Sequence, residues 1–169
     1  MKKTKKLVHI ALLCGVAVAL SLLEGLFAPI LPPGVKPGLS NIITMLAATW
    51  YGVPAAMAVV AFKAIFALVT RGGISFAMSL VGGICSALCT ALLLRAVKRP
   101  FGTVGISVLG ALLHNLGQFA VSLVIMGSAV VAYLPILISC GAVAGGVTGV
   151  ILHVTVHQIA SKTSNGEKK

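Results

Sequence analysis

No aspartate occurs anywhere in this chain, and its only acidic side chains are Glu24 and Glu167. Magnesium-assisted displacement of a diphosphate needs several carboxylates around the ion, so these two cannot supply a paired acidic metal site. A Gly-x-x-x-x-Gly-Lys loop is missing too, which removes the usual cradle for hydrolysing ATP. Charged residues make up just 9% of the chain against 59% hydrophobic. Soluble domains carry roughly a quarter charged residues, so this chain lacks the polar cover that water demands.

Long apolar runs take the place of that cover. A bilayer core about 30 Å thick is crossed by roughly 20 helical residues. Runs near 7–30, 38–51, 53–70, 75–96, 103–126 and 136–160 predict an all-α integral membrane protein, a bundle of about six transmembrane helices. The breaks are Pro32-Pro33-Gly34, Gly52 with Pro54, Arg71-Gly72-Gly73, Pro100 with Gly102, and the stretch 127–135. The second run is short, so 38–70 reads either as two spans or as a re-entrant hairpin. The first run is longer than a signal-peptide core and has no convincing small-x-small cleavage site, which predicts a permanent first helix. The chain thus divides into a basic amino terminus (1–6), a transmembrane domain (7–160) and a polar tail (161–169).

The net charge of +11 suggests a nucleic-acid partner by magnitude and excludes one by placement. Lys2, Lys3, Lys5 and Lys6 open the chain, Arg95, Lys98 and Arg99 share a loop, and Lys162, Lys168 and Lys169 close it. Those are ten of the thirteen Lys and Arg residues, and six spans put them all on one side. By the positive-inside rule both termini are cytoplasmic, and the chain is a multi-pass protein of the cell membrane. Cys14, Cys85, Cys89 and Cys140 all fall in apolar runs, as small packing residues do.

Two stripes of small residues recur at helical spacing: Ala11, Gly15 and Ala19 in the first span, and Gly141, Gly145 and Gly149 in the last. Each suits close helix contact, within this chain or with a partner. Polar groups inside spans are costly and therefore point to function. They are Glu24, Asn41, Lys63, His114, Asn115 and Gln118. Glu24 and Asn41 fall toward the outer face and Lys63 near the midplane. His114, Asn115 and Gln118 share one broad arc, so the set could line a cavity that opens outward. Glu24 and Lys63 are candidates to pair, as a structural ion pair or with Lys63 answering an anionic ligand. The trio at 114–118 also reads as an interhelical clamp, but three polar groups are more than a clamp needs, which favours substrate contact. Lys36, in the Pro/Gly-rich loop at the outer mouth, is either an anion lure or a solvated charge. His153 and His157 have the i, i+4 spacing of helical metal sites, but no acid accompanies them, so no metal is expected.

The motifs Pro33-Gly34-Val35-Lys36-Pro37-Gly38-Leu39-Ser40-Asn41-Ile42 and His114-Asn115-Leu116-Gly117-Gln118, with Glu24 ahead of them, carry a resemblance over most of the chain. It resembles the Gx transporter family, also called heptaprenyl diphosphate synthase component I. Pro37 and Ser40 depart from the family's usual P-G-x-K-L-G-L-A-N. Members look like the substrate-binding S components of energy-coupling-factor transporters. That likeness implies an S-component-like six-helix fold, a small-molecule or vitamin-type ligand and no cofactor. It also implies a membrane coupling subunit and two ATPases as partners, docked on the Ala11, Gly15 and Ala19 stripe. The family's other label implies instead a non-catalytic membrane component of a heptaprenyl diphosphate synthase.

Overall fold

A computed structural model describes residues 2–27, 38–96 and 102–166. The chain forms α1 (Lys2–Phe27), α2 (Leu39–Tyr51), α3 (Val53–Arg71), α4 (Gly73–Ala96), α5 (Thr103–Met126), a 3₁₀ helix (Gly127–Tyr133) and α6 (Leu134–Gly166). No strand occurs among the described residues. Among the described residues, four stretches are long and apolar enough to cross a membrane: Lys3–Leu26, Val53–Arg71, Gly73–Leu94 and Thr103–Thr155. The last covers both α5 and α6.

The expectation of six spans is corrected here. Five helices have spanning length, whereas α2 has 13 residues, about 20 Å of rise against a core of about 30 Å. The missing length has a packing reason. α2 touches all five of the other helices, and eight of its residues are buried. The remaining helices follow one another around it in the order α1, α3, α4, α5, α6, and among the described residues α1 and α6 do not meet. α2 is therefore the central helix of the bundle, and only its Thr49–Trp50 end is exposed. Neither two full spans nor a shallow re-entrant pair describes 38–70: a short central helix is joined to a full-length one.

Single glycines make the tightest turns. Gly52 has φ 82° and donates its N–H to the Ala48 carbonyl at 3.1 Å, while its own carbonyl accepts from Ala56 at 3.3 Å. One residue thus closes α2 and opens α3, a conformation that a side chain would strain. Gly72 (φ 85°) repeats the device between α3 and α4, with bonds to Leu68 and Phe76. Pro54 sits in the first turn of α3, where its missing N–H costs nothing.

Glycine also sets how closely the outer helices approach. A Cβ on Gly117 of α5 would lie 2.9 Å from the Gly82 Cα of α4, and one on Gly145 of α6 would lie 2.7 Å from the Val108 Cα of α5. With lipid as solvent, such backbone proximity replaces the hydrophobic drive between helices. The lipid-facing surface is correspondingly apolar: Leu26, Val69, Val124 and Val143 are among its most exposed side chains.

Candidate functional site

The inward face of α1 is read from its burial: Cys14, Ala17, Ser21 and Glu24 are buried, at spacings of three, four and three residues. Glu24 is thereby carried to the start of α2, at the end of the bundle far from the amino terminus. Its Oε1 accepts from the Ser40 backbone N–H at 2.7 Å and its Oε2 from the Ser40 hydroxyl at 3.1 Å. The first N–H groups of a helix lack internal partners and carry the positive end of the helix dipole. Gly38 has no side chain with which to cap α2. Glu24 supplies that cap from a neighbouring helix.

Lys63 reaches the same serine from α3, donating from Nζ to Ser40 Oγ at 3.4 Å. Among the described residues no direct Glu24–Lys63 contact within 4.0 Å is found. The expected pair is an acid and a base joined through Ser40. Lys63 is 3% exposed and among the described residues makes this one long hydrogen bond for three donor protons. One turn along α1, Arg71 at the end of α3 donates to both the carbonyl (3.0 Å) and the hydroxyl (2.8 Å) of Ser21. Three helices are fastened at this end by Glu24, Ser40, Lys63 and Arg71.

Asn41, next along α2, points to α4 and accepts from Ser86 Oγ at 3.1 Å. The trio on α5 divides. His114 and Gln118 turn toward α4, where Gly82 leaves room for them, and Gln118 Nε2 and His114 Nε2 are 2.9 Å apart. Asn115 turns the other way, donating to the Leu137 carbonyl of α6 at 3.1 Å, beside the gap left by Gly141. Asn115 is thus a clamp between α5 and α6. His114 and Gln118 belong with Asn41, Ser86 and Thr90 in a polar layer inside the bundle.

That layer has hydrogen-bonding capacity to spare. Gln118 Oε1, Thr44 Oγ1 and Thr90 Oγ1 are buried and have no partner among the described residues. A buried polar atom left unpaired costs roughly 1–3 kcal/mol, more than most folds tolerate without a reason. Glu24, Asn41, Lys63, His114, Asn115 and Gln118 are all buried, so the layer is closed from solvent. Cavities open elsewhere. One of about 500 Å³ lies among Ile74, Met78, Ser122, Met126, Val130 and Tyr133, another of about 430 Å³ between α1 and α2.

Ser40, Ser86 and Arg71 are the participants that sequence reasoning missed. Serine is ordinary in membrane helices, and Arg71 reads as a loop charge. The available signal was the arginine directly before a Gly-Gly turn, a place from which it can fold back on a neighbour. Lys36 lies outside the described residues. Ala11, Gly15 and Ala19 are all exposed, and nothing stands within 4 Å of a Cβ built on Gly15. His153 is exposed on α6, the His157 side chain lies outside the described residues, and no metal-binding cluster appears among the residues described.

The site offers hydrogen bonds and a buried cation. Against known families, the description of heptaprenyl diphosphate synthase component I matches residues 13–155. The chain belongs to that family. The match takes in every polar residue of the layer together with Gly15 and Ala19. Neither the curated proteins nor the solved structures gave a match. Within this component I family the present chain is thus a membrane protein of apolar helices arranged round a polar centre.

Proposed function

We propose that this chain is the membrane-embedded substrate-binding subunit of a small-molecule or vitamin-type transporter, of the S-component kind. One observation carries the reading: a polar layer with unpaired acceptors and an under-bonded lysine lies in the centre of an apolar bundle. Buried polar atoms in lipid are expensive and are kept where a ligand completes them. In this reading a small, anionic or aromatic ligand enters from outside, between the far ends of α1 and α2, past Lys36. Asn41, Lys63, His114 and Gln118 hold it, while Glu24 and Asn115 brace the helices that present them. The contacts of Glu24 with Ser40 and of Arg71 with Ser21 are what must yield for entry.

The exposed Ala11, Gly15 and Ala19 stripe is the docking face for a membrane coupling subunit, whose ATPases supply the energy this chain has no phosphate loop to harvest. Although short, α2 carries the chain from the Glu24 end of the bundle, at Ser40, back to the His9 end, at Tyr51, so in this reading both termini are cytoplasmic. A second reading, a non-catalytic membrane component of a heptaprenyl diphosphate synthase, is favoured by the family's description. The shortage of carboxylates places any such chemistry on a partner.

Mass spectrometry of what co-purifies in mild detergent separates the two. A water-soluble ligand with ATPase subunits is the expected result, and His114→Ala then loses the ligand. Recovery of a prenyl diphosphate with a soluble, aspartate-rich synthase would overturn the carrier reading in favour of the second.

A further inference from the structure

The end of the bundle that bears the amino terminus holds a feature with no part in the carrier reading. Between α1 and α2 a cavity of about 430 Å³ is lined by His9, Leu12, Leu13, Val16, Trp50 and Tyr51. Its wall along α1 runs from residue 9 to residue 16, about 10 Å of helix, and is aliphatic beyond its first residue. Its mouth is polar and aromatic: His9 Nδ1 and the Tyr51 hydroxyl are 2.8 Å apart, Trp50 stands edge-on to Tyr51, and Lys6 Nζ lies 5.9 Å over the Tyr51 ring. Lys5 and Lys6 precede His9 by four and three residues, so they share its face of α1, and with Lys3 they are exposed. Glu24, the acid among the described residues, is 18 positions along α1 from Lys6, about 27 Å away. No described anion answers these lysines.

An apolar slot that ends in tryptophan, tyrosine and lysine matches the profile of a lipid: acyl chain, interface, charged headgroup. We propose that this groove binds one anionic phospholipid, with an acyl chain along Leu12, Leu13 and Val16 and the phosphate beside Lys5 and Lys6. The charge of the mouth selects against a zwitterionic headgroup, whose ammonium would meet the lysines. The slot selects against free phosphate, which has nothing to bury there.

Trp50 is the single tryptophan of the chain and edges the groove, so its fluorescence reports occupancy directly. The full chain is reconstituted in phosphatidylcholine vesicles, and chain-brominated phosphatidylglycerol or chain-brominated phosphatidylcholine is added as quencher. Quenching by the glycerol lipid is expected to saturate at low mole fraction and to exceed that by the choline lipid. Lys5→Gln with Lys6→Gln is expected to abolish that preference, at roughly fivefold in affinity per lysine. Equal quenching by the two lipids in the unaltered chain would overturn the site. So would a preference that survives the double substitution, or quenching that rises without saturating, as contact with bulk lipid does. Because both lysines are exposed, the variants fold, and their thermal unfolding beside the unaltered chain verifies it.

Discussion

Two stripes of small residues that look alike in the sequence have opposite fates in the fold. On α6, Gly141, Gly145 and Gly149 are buried against α5: added Cβ atoms would stand 2.6 Å from Asn115 Nδ2, 2.7 Å from the Val108 Cα and 2.8 Å from the Val104 Cα. On α1, Ala11, Gly15 and Ala19 face outward, and the Gly15 position is empty to 4 Å. The first stripe is spent on this chain's own packing, and the second is left over. Small residues at i, i+4, i+8 therefore mark a surface built for close approach without naming what approaches. The difference lies in the neighbours: α5 must lie against α6 because the 3₁₀ helix returns the chain directly, whereas α1 is already satisfied on its inward face by α2 and α3.

The sharpest way to break this contrast is Gly145→Leu. The new side chain meets backbone, which cannot swing aside, so α5 and α6 must separate. A loss of about 3 kcal/mol or more is expected, read as a fall in thermal stability in detergent. An unaltered melting temperature would mean that α6 does not lie on α5 as described.

Glu24→Gln ranks second and tests the inward face of α1. It keeps an acceptor for the Ser40 N–H but removes the charge that faces the helix dipole and answers Lys63. Hydrogen bonds to charged groups contribute roughly 1.5–3 kcal/mol, and about 2 kcal/mol is the expected loss. Lys63→Met in the same chain should recover part of it, because the lysine then no longer lacks its anion. A double-mutant cycle reads that coupling through Ser40, and strict additivity would show that the serine transmits nothing.

How far these features were legible beforehand follows from where each one lives. Helix ends sit on residues with local chemistry, so breaks at Gly52, Gly72, Gly102 and Gly127 could be read directly. The buried polar residues were equally legible, since a lysine or glutamate in an apolar run has few reasons to exist. That α2 would be the central helix was not legible, because a 13-residue helix is defined by what surrounds it. The division of 114–118 was half legible. At about 100° per residue, His114 and Gln118 lie about 40° apart while Asn115 lies about 100° from His114. An arc that wide straddles two neighbours in a packed bundle, and α4 and α6 each took a share. Ser40 was invisible as a link because its partners come from α1 and α3, 16 and 23 positions away.

Asn115→Ala tests the clamp and carries a smaller effect. The lost bond to the Leu137 carbonyl leaves an acceptor that already serves α6, and interhelical hydrogen bonds in lipid average about 0.6 kcal/mol. Thermal stability should fall by about that much, with ligand retention unchanged in the co-purification assay. A ligand lost together with Asn115 would move this residue from the clamp into the binding layer and make the α5–α6 seam part of the site.

The smallest effect on stability is expected for Gly15→Leu, and it separates the two stripes most cleanly. Nothing in the chain occupies the space that the new side chain enters, so unfolding should shift by less than about 0.5 kcal/mol. Ligand binding to the isolated chain should also be unchanged, since the polar layer lies on the other side of α1. What should vanish is uptake into cells, together with co-purification of the coupling partner, because a leucine there holds the opposing helix away. The same substitution at Gly145 would lose folding first and everything else as a consequence. If Gly15→Leu leaves uptake intact, the stripe on α1 faces lipid alone, and the reading of this chain as a coupled carrier loses its docking surface.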